Sequence, residues 1–181
     1  MRIIGGKYKG RIIKFPKGLS ARPTTDVAKE SLFNILQSRY IIEDTTVLDL
    51  FAGTGSISYE FISRGANHVL CVDNQYKSIK FIKQQINSLE MNIKPIKNDG
   101  FKFIEKCNIK FDIIFADPPY IIKESKVIPE IVFSKKLLKE GGLLIIEHGR
   151  ELNFDKSINF IDKRNYSSVN FSFFMENQEN E

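Results

Sequence analysis

The chain has 181 residues, 42% of them hydrophobic, which is enough for one folded domain with a sizeable core and excludes global disorder. Its 27 basic and 22 acidic residues give a net charge of +5, an excess too small to establish nucleic-acid binding by itself. Because the chain lacks a Cys/His cluster, a signal segment and an apolar run near the ~18 residues of a membrane span, we expect a cytoplasmic protein with no disulfide, metal or membrane contact.

The first twenty residues are basic and punctuated by glycines. Two short strand-like runs, Ile3-Ile4 and Arg11–Phe15, are separated by a glycine-containing stretch, which predicts a β-hairpin or a pair of edge strands. This segment has no acid and six basic residues, namely Arg2, Lys7, Lys9, Arg11, Lys14 and Lys17. With Tyr8 and Phe15 interleaved, such a surface suits phosphates and unstacked bases, although lysines also protect solvated edge strands from pairing. The absence of any acid favours a nucleic-acid-binding arm.

Residues 21–24 lead from this arm into a helix. Thr25 is a suitable N-cap and Asp26 a favourable first-turn acid, and apolar residues then repeat at helical spacing through about Arg39. Arg22, beside a proline, could pair with Asp26 or contact a phosphate, and its position fits both roles equally.

The first buried strand is predicted at Thr46–Phe51, followed by the glycine loop 52–55 and a helix to about Arg64. Strand, glycine loop and helix open a nucleotide-binding α/β fold. The third glycine of the dinucleotide pattern GxGxxG would fall at Ser58, so that fingerprint is incomplete and a nicotinamide dehydrogenase is disfavoured. Asp49 would sit badly beside a pyrophosphate but would suit a ligand with an ammonium and a sulfonium charge, and S-adenosylmethionine is such a ligand.

Acidic residues end the next two predicted strands as well. Asp73 follows the strand Asn67–Val72 and suits a bidentate hold on ribose hydroxyls, although it could also cap the following helix. Asp99 follows a short strand, Pro95–Asn98, and could accept a hydrogen bond from an adenine amino group with Phe101 against the ring. The alternative for Asp99 is an N-cap of a helix over 100–106.

The apolar run Phe111–Ala116 has the composition of a buried parallel strand and ends in Asp117-Pro118-Pro119-Tyr120. Two prolines end a strand because neither offers an N–H to the ladder. Asp117 and the Pro118 carbonyl could each accept one N–H of a flat exocyclic amino group, with Tyr120 stacked on its ring. The same four residues are also compatible with a simple proline-rich turn.

The remaining pattern completes an α/β sheet. We expect a helix over Ser125–Lys139, a turn at 140–142 and a buried strand over Leu143–Ile146. His148 follows that strand as a possible general base or, more commonly for a lone histidine, a structural residue. An antiparallel pair at the end, Asn159–Tyr166 and Val169–Phe174, predicts a doubly wound Rossmann-like sheet whose last strand is reversed.

Taken together, the motifs resemble one family over nearly the whole chain: MRIIGGKYKGR, RPTTD, LFNIL, VLDLFAGTG, SRGA, FADPPY and IIEHG, in this order. They are similar to the RsmD-type RNA methyltransferases, which methylate N2 of a guanine in small-subunit (16S) ribosomal RNA. The resemblance implies a seven-stranded class I methyltransferase sheet with a small N-terminal β-hairpin. It divides the chain into a basic RNA-contacting arm (1–22), a methyltransferase domain (23–176) and a frayed tail (177–181).

The resemblance also implies roles for individual residues. The cofactor would contact Asp49, Phe51, Ala52, Gly53 and Gly55 at its methionine end, Asp73 and Asn74 at the ribose, and Asp99, Gly100 and Phe101 at the adenine. The target base would be taken by Asp117, Pro118, Pro119 and Tyr120. The RNA would be held by Arg2, Lys7, Lys9, Arg11, Arg22 and Thr24. The implied partner is ribosomal RNA within a partly assembled small subunit, bound by a monomer.

Two departures and two alternatives accompany this interpretation. After RPTTD the family tends to carry two basic residues flanking a valine, whereas this chain has one, Lys29, and it lacks a glycine after Tyr166. A DNA adenine-N6 or cytosine-N4 methyltransferase would use the same DPPY chemistry, but the chain has no large target-recognition insertion. A non-catalytic RNA-binding module would need only the basic arm.

Overall fold

The structure is a computed structural model that describes residues 1–14, 25–119, 123–166 and 169–176. Seven strands form one sheet: β1 (Thr46–Leu50), β2 (His68–Asp73), β3 (Ile93–Lys97), β4 (Phe111–Ala116), β5 (Leu138–His148), β6 (Phe160–Tyr166) and β7 (Val169–Met175). The helices are α1 (Asp26–Arg39), α2 (Ser56–Ser63), α3 (Tyr76–Leu89), α4 (Gly100–Lys106) and α5 (Ile128–Ser134), with a 3-10 turn at Lys123–Val127. None of these helices is long and apolar enough to cross a membrane.

The strand order is β3-β2-β1-β4-β5-β7-β6. Strands β1 to β5 run parallel, whereas β7 pairs antiparallel with both β5 and β6. The predicted reversed last strand is therefore confirmed. From β1 the chain proceeds outward to β2 and β3 and then returns to add β4 on the other side. The crevice above β1 and β4 is thus the switch point where open α/β sheets bind ligands.

Successive side chains of the buried strands point to opposite faces of the sheet, so the core has two layers. On β1, Val47 packs with α1, α2 and α3 on one face, whereas Leu48 and Leu50 pack with α4 and α5 on the other. These near-continuous apolar runs are typical of parallel strands that are covered on both faces. Cys71 and Cys107 are both buried and free.

The N-terminal residues form the predicted hairpin. Arg2 bridges Ile12 in antiparallel fashion, the Ile3 N–H donates to the Arg11 carbonyl at 2.9 Å, and the Ile13 N–H donates to the Met1 carbonyl at 3.0 Å. Ile3 and Ile13 are buried in the same core layer as α1 and α2, so the hairpin packs as part of the sheet's own core. The proposed boundary at 22/23 and the tail 177–181 lie outside the described residues.

Two predicted helix ends are confirmed. The Thr25 side chain accepts a hydrogen bond from the Ala28 N–H at 3.2 Å and caps α1, which runs to Arg39. Helix α2 ends just before Gly65, whose φ of 103° lies in the left-handed region that glycine adopts without a Cβ penalty.

The helix predicted over Ser125–Lys139 is wrong at both ends, because Ser125 lies in the 3-10 turn and α5 covers only Ile128–Ser134. Helix α5 stops at Ser134, Lys136 takes a left-handed φ of 52°, and the Leu137 N–H donates back to the Val132 carbonyl. Leu138, which continues the helical spacing in the sequence, instead begins β5 and pairs with Phe111. Leu138 thus follows the helical spacing but is buried by strand pairing with β4.

The turn predicted at 140–142 lies inside β5 as a bulge. Phe111 and Ile113 on β4 pair with Leu138 and Leu143 on β5, so a longer stretch of β5 is placed opposite a shorter stretch of β4. Gly141, with a φ of 68°, allows the extra residues to loop out before β5 resumes its ladder.

Candidate active site

Four acidic side chains lie at the carboxyl end of the sheet. Asp49 is the penultimate residue of β1, Asp73 is the last residue of β2, and Asp117 directly follows β4. Because Ala116 pairs with Ile146, Glu147 on β5 is level with Asp117. By strand alternation Asp49, Asp117 and Glu147 all point to the face that α1 and α2 cover. The sheet therefore gathers acidic groups at the switch point.

The glycine loop after β1 is held by backbone hydrogen bonds. The Ala52 N–H donates to the Val72 carbonyl at 2.9 Å, and the Gly55 N–H donates to the Ala52 carbonyl at 2.7 Å. Gly53 (φ 54°) and Gly55 (φ 78°) take left-handed conformations, which turn the chain sharply into α2. The loop is thus tied to β2 by its own backbone.

Phe51 also has a left-handed backbone, with a φ of 63°, which was not predicted. A bulky residue in this region costs about 1–2 kcal/mol, so the surrounding contacts must hold it there. Its ring packs edge-on against Phe101 with the centroids 5.3 Å apart. A Cβ added at Gly100 would come within 2.6 Å of the Phe51 ring, so only glycine fits beside it. Phe51 and Phe101 thereby form one wall, and Gly100 leaves room for the Phe51 ring.

This wall bounds a cleft of about 420 Å³. The cleft brings together five residues predicted for the site: Phe51, Asn74, Asp99, Phe101 and Pro119. It is also lined by three residues that sequence reasoning missed: Glu105, Val127 and Ile131. The other predicted site residues of the described part of the chain, apart from the hairpin residues, do not line the cleft: Asp49, Ala52, Gly53, Gly55, Asp73, Gly100, Asp117 and Pro118.

Asp49 is buried, and its Oδ2 accepts a 2.5 Å hydrogen bond from the Ser58 hydroxyl. Burial raises the pKa of Asp49 to about 7; the hydrogen bonds from Ser58 oppose this rise, and the nearby charge of Asp73 adds to it. The carboxyl is therefore close to half-protonated at neutral pH, and a cation placed beside it would favour its ionised form.

Both carboxylate oxygens of Asp73 are used by the backbone. Oδ2 accepts from the Gly53 N–H at 2.8 Å, and Oδ1 accepts from the Gln75 N–H at 2.8 Å. Burial raises the pKa of Asp73, and these two hydrogen bonds oppose the rise. The N-cap of α3 is Gln75 rather than Asp73. Each carboxylate oxygen keeps a further lone pair, so Asp73 can still accept hydroxyl donors while it ties the glycine loop to β2.

Asp99 is the N-cap of α4, as the structural alternative predicted: its Oδ1 accepts from the Lys102 N–H at 3.0 Å. Asp99 also lines the cleft, so capping and ligand contact are compatible. Asn74, one residue beyond β2, is exposed and lines the same cleft.

Asp117 is half-buried at the end of β4, and its N–H donates to the Leu50 carbonyl at 3.3 Å. Burial raises the pKa of Asp117 well above its usual value, and repulsion from Glu147 and then Asp49 raises it further. Pro118 is buried, Pro119 is exposed at the rim of the cleft, and Tyr120 lies outside the described residues. Glu147 was not predicted as a site residue, although it directly follows the predicted strand Leu143–Ile146.

His148 is a structural residue. It is fully buried, its Nδ1 lies 2.8 Å from the Gly149 carbonyl, and its Nε2 lies 2.8 Å from the Ser172 hydroxyl. Burial lowers the pKa of His148, so the ring is neutral and held between the two partners. Within the described ranges, no group of three His, Cys, Asp or Glu side chains is arranged to hold a metal ion.

The first strand of the hairpin runs alongside α2. The Ile4 and Gly5 N–H groups donate to the two oxygens of Glu60 at 2.9 and 2.8 Å, and the Lys7 N–H donates to the Ser63 carbonyl. The predicted RNA contacts in the described part of the hairpin are all exposed: Arg2, Lys7, Lys9 and Arg11. Arg22 and Thr24 lie outside the described residues. The Arg2 side chain is 3.8 Å from Asp26, and Lys7 lies over the Tyr8 ring.

Lys29, the one lysine after RPTTD, is buried and faces away from solvent. Its Nζ donates to the Arg2 carbonyl at 2.7 Å and to the Ser56 hydroxyl at 3.1 Å, and it lies 3.8 Å from Glu60. Lys29 therefore joins the hairpin to the start of α2 and does not offer its charge to a ligand on the surface.

The chain is similar in sequence to a protein family and to several known proteins. The profile of a family described as "Conserved hypothetical protein 95" matches residues 1–175. "Putative rRNA methyltransferase YlbH" of Bacillus subtilis is 35% identical over 163 residues, which cover 87% of this chain and 88% of that protein. "Ribosomal RNA small subunit methyltransferase D" of Buchnera aphidicola (strain Bp) is 33% identical over 154 residues, covering 84% and 78%.

Among solved structures, "Putative methyltransferase yhhF from Escherichia coli" superposes with a TM-score of 0.84 at 25% identity, covering 96% of each chain. The class I methyltransferase fold predicted from the motifs is therefore confirmed. On the profile match and on these two relatives, the chain belongs to the "Conserved hypothetical protein 95" family, as one of the RsmD-type S-adenosylmethionine-dependent methyltransferases.

Proposed function

We propose that this chain transfers a methyl group from S-adenosylmethionine to the N2 amino group of a guanine in small-subunit ribosomal RNA. The observation that carries the proposal is the position of Asp117 and its two prolines, which leave β4 between Glu147 and the cleft. The B. subtilis and Buchnera relatives are named for ribosomal RNA methylation, which supports the RNA substrate.

The cleft fits the cofactor in shape and chemistry. Phe51 and Phe101 supply aromatic faces for an adenine ring. The Phe51 ring can lie against Phe101 because Gly100 has no Cβ to occupy that space. Asp99 and Asn74 supply polar groups at its sides. Asp49 and Asp73 lie behind the glycine loop, where negative charge suits a cationic ligand. When bound, S-adenosylmethionine supplies an electrophilic methyl group on a sulfonium sulfur.

Asp117 and the Pro118 carbonyl would orient the acceptor nitrogen. The lone pair of an aromatic amine is delocalised into its ring, so the nitrogen is a poor nucleophile until its hydrogens are directed elsewhere. Two acceptors for the two N–H bonds favour a pyramidal nitrogen with its lone pair free to attack, which is catalysis by orientation and electrostatics. Tyr120, next in the sequence, would stack on the base.

Asp117 in its ionised form can also take the proton that the nitrogen must lose when it gains the methyl group. The methylated amine is cationic and very acidic, so it gives up this proton without a strong base. Burial and the negative charge of Glu147, which is level with Asp117, raise the pKa of Asp117, and a cationic ligand nearby would favour the ionised form that both roles need. The target guanine must also leave its stack in the RNA to reach the pocket. Unstacking costs a few kcal/mol and is easiest for a nucleotide in a loop.

The test uses tritiated S-adenosylmethionine, the purified chain and small-subunit ribosomal RNA from a strain that lacks this gene. We expect label in RNA and none in DNA of equal length, with digestion releasing N2-methylguanine. Asp117→Asn should bind the cofactor with unchanged affinity in calorimetry and lose at least 100-fold in methyl transfer, on the order of 3 kcal/mol. Asp155→Ala, which changes an exposed acid that does not line the cleft, is the control. Full activity of the Asp117 variant would refute its assigned role.

The physiological substrate within this proposal is a partly assembled small subunit, bound by a monomer in the cytoplasm. The exposed hairpin, which extends along α2 away from the glycine loop, offers a contact surface well beyond one nucleotide. Methyl transfer to naked RNA and to purified assembly particles can be compared directly. A higher rate on naked RNA would contradict the particle as substrate, and sedimentation of the free protein measures its oligomeric state.

A further inference from the structure

Helix α3 presents three lysines and no acid to solvent. Lys77, Lys80 and Lys83 recur every third residue and are all exposed, which places them on one face of the helix, opposite the buried Phe81 and Ile82. None of the three forms a salt bridge with another described residue. We call these three side chains the lysine row.

The lysine row does not serve helix stability. Like charges three residues apart on a helix repel each other, and a stabilising arrangement would place an acid three or four residues from at least one lysine. The 14 residues of α3 contain no Asp or Glu. Helix α1, of the same length, pairs its charges instead, with Asp26 near Arg2 and Arg39 on Asp162. The unpaired charge on α3 thus points to an external anion.

The lysine row and the hairpin lie on the same side of the sheet. Residues from both pack in the core layer that contains α1 and α2, and the Tyr8 hydroxyl of the hairpin donates to the Leu89 carbonyl at the end of α3. At the other end of α3, Tyr76 is 64% exposed and lies two residues beyond Asn74, which lines the cleft. Helix α3 therefore spans the ~20 Å between the cleft and the hairpin tip.

The positive charge of the chain is concentrated on this side. Residues 1–14 contain five basic residues and no acid, and α3 adds three lysines. Together these two elements exceed the net charge of +5 of the whole chain, so the rest of the molecule is net negative. A polyanion approaching the protein is consequently steered to the hairpin and to α3.

We propose that the outer face of α3, with Tyr76 and the lysine row, binds the phosphate backbone of the RNA strand that connects the hairpin to the cleft. The proposal rests on RNA being the substrate. Lysine ammonium groups bind phosphates as point charges with release of counterions, and an exposed tyrosine at the cleft end offers a stacking face for an unpaired base. A single strand is the occupant because a target base must be extruded into the cleft.

The experiment compares two triple variants of equal charge. Lys77→Gln/Lys80→Gln/Lys83→Gln removes the lysine row. Its control removes three exposed lysines from the side of α4 and α5: Lys110→Gln/Lys135→Gln/Lys136→Gln. A fluorescein-labelled 20-nucleotide single-stranded RNA is titrated with each protein from 0.05 to 0.3 M salt. Melting temperature and S-adenosylmethionine affinity of all three proteins are measured alongside.

We expect the lysine-row variant to bind this RNA at least about tenfold more weakly at 0.1 M salt, with the slope of log affinity against log salt reduced by about 2. The control should keep the wild-type slope, and both variants should keep the wild-type cofactor affinity. Equal slopes for the two variants would overturn the proposal, as would an unchanged affinity of the lysine-row variant. Because the readout is binding, it holds or fails separately from methyl transfer and from the choice of N2.

Discussion

Removing the charge of Glu60 should loosen the N-terminal hairpin and cost a large part of the protein's stability. Glu60 is fully buried and its carboxylate faces four donors: the N–H groups of Ile4 and Gly5, the Arg64 Nε at 2.8 Å, and the Lys29 Nζ at 3.8 Å. In Glu60→Gln an NH2 group replaces one carboxylate oxygen, so a donor faces donors that had an acceptor. The buried cations Lys29 and Arg64 also lose their counter-charge. Breaking such a buried cluster from one side costs about 3–5 kcal/mol, against a total of about 5–15 kcal/mol for a domain.

The matched variant is Lys29→Met, which keeps the length of the side chain. Glu60 then retains Arg64 and two backbone donors, and burial already lowers the pKa of Lys29, so holding its charge is costly. We expect a smaller loss, about 1–3 kcal/mol, and a double variant less destabilised than the two losses added. Urea unfolding measures all three free energies, and hydrogen exchange at the Ile4 and Gly5 amides reports the hairpin. A Glu60→Gln loss below about 1 kcal/mol, or strict additivity, would refute the network.

Two further predictions concern the cleft and its buried acid. Gly100→Ala should weaken S-adenosylmethionine binding at least about tenfold in calorimetry with little loss of melting temperature, because the new Cβ displaces the Phe51 ring; wild-type affinity would contradict the role of that wall. Asp49, with a pKa of about 7 against 3.8 when unfolded, contributes stability that is present at low pH and lost as pH rises from about 4 to 7. Asp49→Asn should therefore gain stability over the wild type between pH 5 and pH 8, by up to about 4 kcal/mol in urea unfolding, and a pH-independent difference would show that the pKa is not raised.

The parallel strands β1, β2 and β4 were predictable because they are buried on both faces. β4 has the predicted bounds, and the others differ from prediction by a few residues at their ends, except β5, which begins five residues earlier. Its early start was hidden because Leu137 and Leu138 are apolar at a spacing that a helix would also use. The change from helix to strand depends on the left-handed backbone of Lys136. A lysine in the sequence does not indicate this conformation, because non-glycine residues adopt it only rarely.

The site was predictable where a loop carries its own chemistry and not where distant elements meet. Acids at strand ends were found because the carboxyl ends of parallel strands meet at one edge. Val127 and Ile131 line the cleft only because α5 packs over the switch point, and their apolar character alone marks them as core. The left-handed Phe51 was missed because the sequence shows an aromatic residue and not the glycine-sized gap at position 100.

Helix α2 joins the two halves of the proposed function. Its first residue follows Gly55, so its N-terminus fixes the glycine loop, while Glu60 and Ser63 farther along hold the backbone of the hairpin. Lys29 closes the connection by bonding Ser56 and the Arg2 carbonyl at once. The hairpin also contacts the glycine loop directly, because the Thr54 hydroxyl lies 3.5 Å from the Met1 sulfur. RNA bound at the hairpin would therefore be held in a fixed position relative to the glycine loop. A flexible tether would have carried the same basic residues without this link, so the hairpin's rigid attachment favours a role in placing the RNA over a role in merely retaining it.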